Sequence, residues 1–205
     1  MTMLWIRHGE TALNVARVLQ PPDTPLSPRG EAQAHALAAA LAGRGLRAVL
    51  CSDLPRAHRT AQIVAAAAGG VPLHVSALLQ ERHYGELRGL SYDGLGYDPL
   101  SMVEAPPGGE SMAQLVQRAG LALQEAVALQ QRLGGPLAVV SHGQLIKAVL
   151  GHHASLPPEQ PVLAKLGNTS VTEIDATPPY RVGRLNLTDH LPPDLAGSGH
   201  TLVGG

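Results

Sequence analysis

Short apolar runs alternate with longer, alanine-rich segments along most of the chain. A short apolar run bounded by polar residues predicts a buried strand, and a longer segment with helical periodicity predicts a helix. The runs predict strands over residues 2–6, 46–50, 72–75, 136–140, 170–174 and 181–187. The longer segments predict helices over residues 28–41, from residue 54 to about 68, from 111 to about 133 and from 143 to about 150. Such alternation is typical of a three-layer α/β/α sandwich around a mostly parallel sheet.

Glycine and proline mark where the regular pattern stops. Residues 84–109 are rich in both and show no clean period, so they read as a loop or lid. From residue 191 onward the chain has little apolar surface to bury, which predicts a draped or frayed tail. We therefore predict one domain over residues 1–190, with 91–109 as a loop insertion, followed by a C-terminal tail over 191–205.

Composition excludes several classes of protein. The 205 residues carry 15 Lys+Arg against 16 Asp+Glu, a balance that argues against nucleic-acid or membrane-surface binding. With no Phe, one Trp and four Tyr, base stacking on single strands is also disfavoured. The single cysteine, Cys51, cannot form an internal disulfide, and no Cys/His cluster has zinc-ligand spacing. The first apolar run reaches Arg7 too soon for a signal peptide or membrane span, so we expect a cytoplasmic protein without a metal.

Three of the predicted strands end in residues that can bind an anion. Arg7 and His8 follow the first strand, Arg56 comes shortly after the second, and His142 follows the fourth. Open α/β sheets bind ligands beyond the carboxyl ends of their strands, so these side chains are expected to meet in one crevice. Two arginines and two histidines around one point would form a strongly cationic hole, which an anionic substrate such as a phosphate would fill.

A phosphate in this crevice suggests a specific chemistry. A neutral imidazole can attack phosphorus and form a phosphohistidine that water later hydrolyses. Arg7, Arg56 and protonated His142 would offset the developing negative charge, and Glu81 is the best candidate to protonate the leaving group. Each residue also has an ordinary alternative, because a lone buried histidine is usually structural and a loop glutamate beside an arginine is usually a solvated pair.

Several separated motifs occur in a fixed order along the chain. They are Arg7-His8-Gly9-Glu10-Thr11 with Asn14, Asp23-Thr24-Pro25-Leu26-Ser27, Ser52-Asp53-Leu54 with Arg56-Ala57, Glu81 with Gly85, Gly109-Glu110-Ser111, Ser141-His142-Gly143 and Gly167-Asn168-Thr169-Ser170-Val171. In these motifs the chain resembles the histidine phosphatase superfamily, which includes cofactor-dependent phosphoglycerate mutases and many small-molecule phosphatases. The resemblance implies a phosphoglycerate mutase-like fold and no metal or other cofactor.

The resemblance also implies roles for individual residues. His8 would be the phosphorylated nucleophile, and Glu81 would be the proton donor. Arg7, Arg56 and His142 would complete the phosphate pocket. As further substrate or phosphate contacts we predict Thr11, Asn14, Gln20, Arg82, Tyr84, Gly143 and Gln144, without assigning them by the resemblance.

The chain differs from the mutases near the predicted acid. Residues 81–90 are similar to the mutases' own stretch, and Arg82 with Tyr84 could hold a substrate carboxylate. However, Tyr92 stands where the mutases carry a lysine, no arginine lies between residues 88 and 118, and Gln144 replaces the usual asparagine. A mutase needs extra cations and a closed site to keep its phosphate from water. These departures favour a phosphomonoesterase acting on a small phosphorylated metabolite.

Four further interpretations stay open. The first alternative is a 2,3-bisphosphoglycerate-dependent phosphoglycerate mutase. A non-catalytic phospho-ligand-binding module is more remote. Such a module is expected to lack at least one of the side chains that the chemistry needs, yet all four are present: His8, Arg56, Glu81 and His142. Tyr92, Tyr97 and Met102 are candidate selectors of the substrate, although ordinary loop packing explains them equally well. An alanine- and leucine-rich helix face suits a core and an interface alike, which leaves a homodimer open.

Overall fold

The computed structural model describes residues 2–159 and 166–196. Within them, five strands form one sheet in the order β3-β2-β4-β1-β5. The strands are β1 (Thr2–Arg7), β2 (Ala48–Cys51), β3 (Leu73–Val75), β4 (Leu137–Ser141) and β5 (Val171–Asp175). β1 and β2 both pair with β4 in parallel, β3 pairs in parallel with β2, and only β5 is antiparallel to its neighbour. The carboxyl ends of β1, β2 and β4 therefore lie at the same edge of the sheet.

The described residues include six α-helices. They are α1 (Ala12–Val15), α2 (Pro28–Leu41), α3 (Pro55–Ala67), α4 (Tyr92–Leu95), α5 (Met112–Leu133) and α6 (Gly143–His152). The predicted start of α2 is confirmed, because the Ser27 side chain accepts the N–H of Gly30 and Pro28 occupies the first helical position. α5 begins with a capping box in which Ser111 and Gln114 each bond the other's backbone N–H.

Alternate residues of each central strand belong to different cores. Met3 and Trp5 of β1 pack in the core that includes α5 and α6. Leu4 and Ile6, the intervening positions, pack in the core with α2 and α3. A strand that is buried on both faces reads as a continuous apolar run, which is why the sequence shows no alternation there. The predicted three-layer sandwich with a mostly parallel sheet is confirmed.

Two predicted regions differ in detail. Residues 181–187 do not form a strand, because only isolated bridges join Val182 and Leu187 to β5. Asn186 adopts a left-handed conformation there (φ 56°), which interrupts a regular ladder. The 84–109 region is mostly irregular as predicted, but it also contains α4 and 3₁₀ turns at Gly85–Leu87 and Pro99–Ser101.

The predicted tail begins by packing on α2. The carbonyl oxygen of Leu195 accepts hydrogen bonds from Arg29 Nη2 and Gln33 Nε2. The rest of the tail, beyond residue 196, lies outside the described residues.

The loop after β1 is fixed by a close backbone approach to α2. A Cβ on Gly30 would lie 2.0 Å from the carbonyl oxygen of Glu10, and one on Gly9 would lie 2.5 Å from that of Gly30. The backbone N–H of Glu10 donates to Gln33 Oε1 over 2.9 Å. Glycine is thus required at both crossing points, and the loop that begins with His8 is held rigidly.

Candidate active site

Backbone hydrogen bonds join the three strand ends that carry the predicted side chains. The N–H of His8 donates to the carbonyl oxygen of Ser141 over 3.0 Å, and the N–H of Ser52 donates to that of Val140 over 3.0 Å. His142 follows directly on β4. The rings of His8 and His142 lie with their centroids 5.0 Å apart. The crevice predicted from the sequence is therefore present, with both histidines facing each other.

His8 is buried in the tautomer that a nucleophile requires. Its Nδ1 lies 2.6 Å from the carbonyl oxygen of Gly9, which can only accept a hydrogen bond, so Nδ1 carries the proton. The side chain is 1% exposed. Burial, followed by the charges of Arg56 and Arg7, holds the pKa of His8 well below its ordinary value of 6.5. The imidazole is therefore neutral at pH 7, and Nε2 has a free lone pair.

Burial favours a neutral His142 as well, whereas the imidazolium expected beside a bound phosphate stays a prediction. Burial, followed by the charges of Arg56 and His8, lowers its pKa well below 6.5. Its Nε2 lies 3.0 Å from Ser52 Oγ, and that oxygen already accepts the N–H of Leu54 over 3.2 Å. The Ser52 hydroxyl is then best placed to donate to Nε2, which leaves the proton of His142 on Nδ1. Nδ1 is buried and finds no partner among the described residues, so it is a donor available to a ligand.

Arg7 and Arg56 bring buried guanidinium groups with spare donors. Arg7 Nη1 donates to the carbonyl oxygen of Leu166 over 2.6 Å, while its Nε and Nη2 have no acceptor in the described part of the chain. Arg56 Nη1 makes a long 3.4 Å contact with the carbonyl of Pro21, and its Nε is likewise unpaired there. Burial lowers the pKa of Arg56 to about 10, which still leaves it charged at pH 7. Unpaired buried charges are costly, and a phosphate supplies the acceptors they lack.

The carboxylate of Glu81 lies beside the N-terminus of α6. Its Oε1 accepts the backbone N–H groups of Arg82 (2.9 Å) and Gln144 (3.1 Å). Glu81 also lines a narrow cleft that leads to the pocket. The other residues lining this cleft are Val18, Leu19, Gln20, Arg56, Tyr84, Tyr92 and Leu100.

Thr11, Gln20 and Asn14, three of the predicted uncharged contacts, make different hydrogen bonds. The Thr11 hydroxyl donates to Gln20 Oε1 over 3.0 Å, so it orients the cleft-lining Gln20. Asn14 Oδ1 accepts hydrogen bonds from the Thr11 N–H and from Asn168 Nδ2. Asn14 Nδ2 is buried without a partner among the described residues. Asn14 therefore joins Arg7, Arg56 and His142 as a group with a spare donor.

Arg82 is directed into the loop and away from the cleft. Its guanidinium donates to the carbonyl oxygens of Met102 (2.7 Å), Glu110 (3.1 Å) and Glu104 (3.2 Å), and the residue is 1% exposed. It also lies 5.5 Å from the ring centroid of Tyr84. Each nitrogen of its guanidinium donates to a backbone carbonyl, and Arg82 is not among the residues that line the cleft, so the structure does not bring it together with the other predicted contacts. Tyr84 does line the cleft, and burial raises the pKa of its hydroxyl well above 10.

The remaining predicted residues divide between the cleft and its surroundings. Gly143 is the first residue of α6, and Gln144 supplies the N–H that Glu81 accepts. Tyr92 lines the same cleft as Glu81, whereas Tyr97 is 48% exposed and lines a neighbouring surface pocket. Met102 takes part through its carbonyl oxygen, which binds the Arg82 side chain.

Sequence reasoning overlooked the contacts around Glu81. Arg118 of α5 forms a two-point ion pair with Glu110 and also donates to the backbone just before and at Glu81. The eight-residue separation of Arg118 and Glu110 crosses a helix start, so no periodicity links them. Ser52 was noted at a strand end, but nothing in the sequence reveals its contact with His142.

Across residues 2–159 and 166–196, no three His, Cys, Asp or Glu side chains are grouped so that they could hold a metal ion. No helix in that part of the chain is long and apolar enough to cross a membrane.

Fold and site together define an α/β phosphoryl-transfer protein with a histidine at the centre of an anion pocket. The model of the histidine phosphatase superfamily (branch 1) matches residues 3–186. The chain belongs to this superfamily.

Relatives carry both phosphatase and mutase names. A glucosyl-3-phosphoglycerate phosphatase of Mycobacterium tuberculosis is 34% identical over 188 residues, covering 84% of each chain. A Yersinia enterocolitica protein named "Probable phosphoglycerate mutase GpmB" is 32% identical over 180 residues, covering 83% of this chain and 82% of the relative.

Two solved structures of phosphatases are similar over nearly the whole chain. The mycobacterial glucosyl-3-phosphoglycerate phosphatase in complex with VO3 superposes with a TM-score of 0.74 at 32% identity, covering 85% of this chain and 90% of that chain. A phosphoserine phosphatase mutant from Entamoeba histolytica, in complex with phosphoserine, superposes with a TM-score of 0.77 at 27% identity. The similarity covers 93% of this chain and 99% of that chain. The predicted family, fold and enzyme class, a phosphoric monoester hydrolase, are confirmed, and the phosphatase interpretation is supported over the mutase.

Proposed function

We propose that the protein hydrolyses the phosphate ester of a small hydroxy acid through a phosphohistidine on His8, with Glu81 as the proton donor. The observation that carries this proposal is a neutral His8, with its Nε2 free, among spare donors. These donors belong to Arg7, Arg56, Asn14 and His142. A tetrahedral phosphate dianion has the charge and the oxygen acceptors to satisfy such a set.

In the first step, His8 Nε2 attacks phosphorus and the ester P–O bond breaks. The leaving oxygen takes the proton of the Glu81 carboxyl group, and the spare donors hold the non-bridging phosphate oxygens. In the second step, a water molecule gives its proton to the Glu81 carboxylate and attacks the same phosphorus. The P–N bond breaks, its electron pair returns to Nε2, and inorganic phosphate leaves. The enzyme is thereby restored with Glu81 protonated and His8 neutral.

The names of the relatives support a common type of substrate. Glucosyl-3-phosphoglycerate, phosphoglycerate and phosphoserine are all phosphate esters of three-carbon carboxylic acids. A substrate carboxylate needs a cation, and Arg82 is occupied elsewhere. Lys147 of α6 is half-buried, forms no ion pair among the described residues, and has its pKa lowered by burial and then by the charge of Arg7. We propose Lys147 as the residue that meets this carboxylate.

Hydrolysis requires that water reach the phosphohistidine. The cleft wall supports this outcome, because Tyr92 contributes a neutral phenol where the mutases are expected to carry a lysine. A site with fewer cations holds a doubly phosphorylated intermediate less firmly, so that water can compete for the phosphoryl group.

The test is an assay of 3-phosphoglycerate with two readouts, run in EDTA with and without traces of 2,3-bisphosphoglycerate. Free phosphate and 2-phosphoglycerate are measured together, and His8→Ala serves as the blank. We expect phosphate release that EDTA leaves unchanged, with a phosphohistidine trapped by alkaline quench in the wild type alone. Rapid formation of 2-phosphoglycerate that depends on the bisphosphate would show a mutase instead. A substantial residual rate in His8→Ala would refute the assignment of the nucleophile.

We propose a metal-independent, cytoplasmic enzyme with one domain over residues 1–190, in which 91–109 is a loop insertion, and with a tail over 191–205. The single sheet between two cores supports the one-domain division. Cell fractionation tests the location. Sedimentation equilibrium distinguishes a monomer from the homodimer that the sequence leaves open.

A further inference from the structure

We propose that the ion pair of Arg118 and Glu110 positions Glu81 for proton donation, so that both act as positioning residues. This inference rests on the proposed role of Glu81 as the acid. It concerns how the chain holds that acid and not how phosphate is bound.

Glu81 lies in an irregular segment that cannot hold a side chain in place by itself. It follows the 3₁₀ turn Ala77–Leu79 and belongs to no helix or strand. The guanidinium of Arg118 reaches this segment from α5. Its Nη1 donates to the carbonyl oxygens of Leu78 (2.9 Å) and Gln80 (2.7 Å), and its Nη2 donates to that of Glu81 (3.3 Å). The Arg118 side chain therefore binds three of the four backbone carbonyls of residues 78–81.

Glu110 holds Arg118 on one side and the chain after Glu81 on the other. Its carboxylate accepts Arg118 Nε (2.9 Å) and Nη2 (2.7 Å) in a two-point pair. The same carboxylate accepts the backbone N–H of His83 over 3.3 Å, and the N–H of Glu110 donates to the carbonyl of His83 over 2.7 Å. The segment that carries Glu81 is thus held on both sides of the acid.

The pair is sheltered enough to be rigid. The side chains of Arg118 and Glu110 are only 19% and 14% exposed. Burial alone would raise the pKa of Glu110, but the hydrogen bonds and charge of Arg118 outweigh it, and the pKa is lowered. Glu110 stays ionised at neutral pH, and a planar two-point pair resists rotation better than a single contact.

A second cleft gives solvent access to the pair. It has a volume of about 270 Å³, and Glu81, Arg118, Glu110 and His83 line it. Glu81 therefore lies between this outer cleft and the catalytic cleft. If Arg118 is shortened, a guanidinium ion from solution can reach the space it leaves.

The experiment compares two substrates that differ in their need for an acid. The ester oxygen of 3-phosphoglycerate must be protonated as it leaves, whereas nitrophenolate leaves 4-nitrophenyl phosphate without help. In kcat/KM, we expect Arg118→Ala and Glu110→Gln to lose about 10- to 100-fold for 3-phosphoglycerate, part of what a general acid contributes. For 4-nitrophenyl phosphate the expected loss is less than about 3-fold. Arg118→Lys, which cannot form the two-point pair, should fall between wild type and Arg118→Ala.

Three controls separate positioning from general damage. Arg59 forms a similar two-point pair with Glu31 on the surface, so Arg59→Ala removes an equivalent pair and should leave both rates unchanged. Millimolar guanidinium should restore part of the 3-phosphoglycerate rate of Arg118→Ala and should not affect Arg59→Ala. In a Glu81→Gln background, Arg118→Ala should cause no further loss, because the two residues act through the same proton.

Several outcomes would overturn the inference. Equal losses for the two substrates in variants that keep the wild-type melting temperature would show a general effect on the site. A loss that persists in the Glu81→Gln background would show that Arg118 acts elsewhere, for example through its charge near His142. If Arg118→Ala does not fold, Glu110→Gln and Arg118→Lys take its place. The test is then their loss in kcat/KM for 3-phosphoglycerate compared with their loss for 4-nitrophenyl phosphate. If the wild type hydrolyses neither substrate, the proposed function fails, and that failure is distinct from a loss confined to the variants.

Discussion

The buried hydroxyl of Ser52 is expected to control catalysis by setting the tautomer of His142. Ser52 Oγ is fully buried, accepts the N–H of Leu54 and lies 3.0 Å from His142 Nε2. Ser52→Ala leaves Nε2 without a donor. The imidazole proton can then move to Nε2, in which case Nδ1 no longer offers an N–H to the phosphate. The change removes one hydrogen bond to the transition state without touching the substrate directly.

The size of this effect follows from the charge on the phosphate. A hydrogen bond to a charged group contributes about 1.5 to 3 kcal/mol. At about 1.4 kcal/mol for each factor of ten, kcat/KM should fall roughly 10- to 150-fold. The loss should be similar for 3-phosphoglycerate and 4-nitrophenyl phosphate, because both present the same phosphoryl group to His142.

The assay pairs steady-state rates with NMR of the imidazole nitrogens. Nitrogen-15 shifts should show the His142 proton on Nδ1 in the wild type and a changed tautomer in Ser52→Ala. Thr172→Val is the matched control, since it removes a buried hydroxyl from β5 at the other side of the sheet, where it accepts the N–H of Asn186. A rate within about 3-fold of wild type for Ser52→Ala, or a wild-type proton on Nε2, would refute the reasoning.

Two other predictions concern stability and the role of Arg82. Burial keeps His8 and His142 neutral in the folded protein, while the unfolded chain takes up their protons as pH falls below 6.5. The free energy of unfolding should therefore decrease below pH 6.5 by about 1.4 kcal/mol per pH unit for each histidine. Urea titrations from pH 7.5 to 5.5 check this. If the unfolding free energy of His142→Asn fell with pH as steeply as that of the wild type, the prediction would be contradicted. Arg82→Met should reduce stability by at least about 3 kcal/mol through three lost hydrogen bonds, with KM for 3-phosphoglycerate unchanged. A selective rise in KM would show instead that Arg82 contacts the substrate.

The sequence predicted most reliably what the sheet itself determines. Residues that follow buried apolar runs must emerge at strand ends, and parallel strands bring those ends together, so Arg7, His8 and His142 could be grouped without coordinates. The direction of a long side chain has no such signature. Arg82 follows Glu81 in the sequence whether its guanidinium faces substrate or loop carbonyls, and only the fold decides. Nor does the sequence reveal that burial lowers the pKa of His142 well below its ordinary value.

The same contrast divides the proposed catalytic machinery into two parts with different supports. The phosphate pocket takes its geometry from backbone hydrogen bonds between β1, β4 and β2, so its histidines hold their places without help from surface side chains. The acid takes its geometry from an irregular segment that the side chains of Arg118 and Glu110 hold. Changes to the pocket should therefore slow every phosphate ester alike, and changes to the acid's support should slow only esters with poor leaving groups. A Ser52→Ala loss that depended on the leaving group, beside an Arg118→Ala loss that did not, would contradict this division.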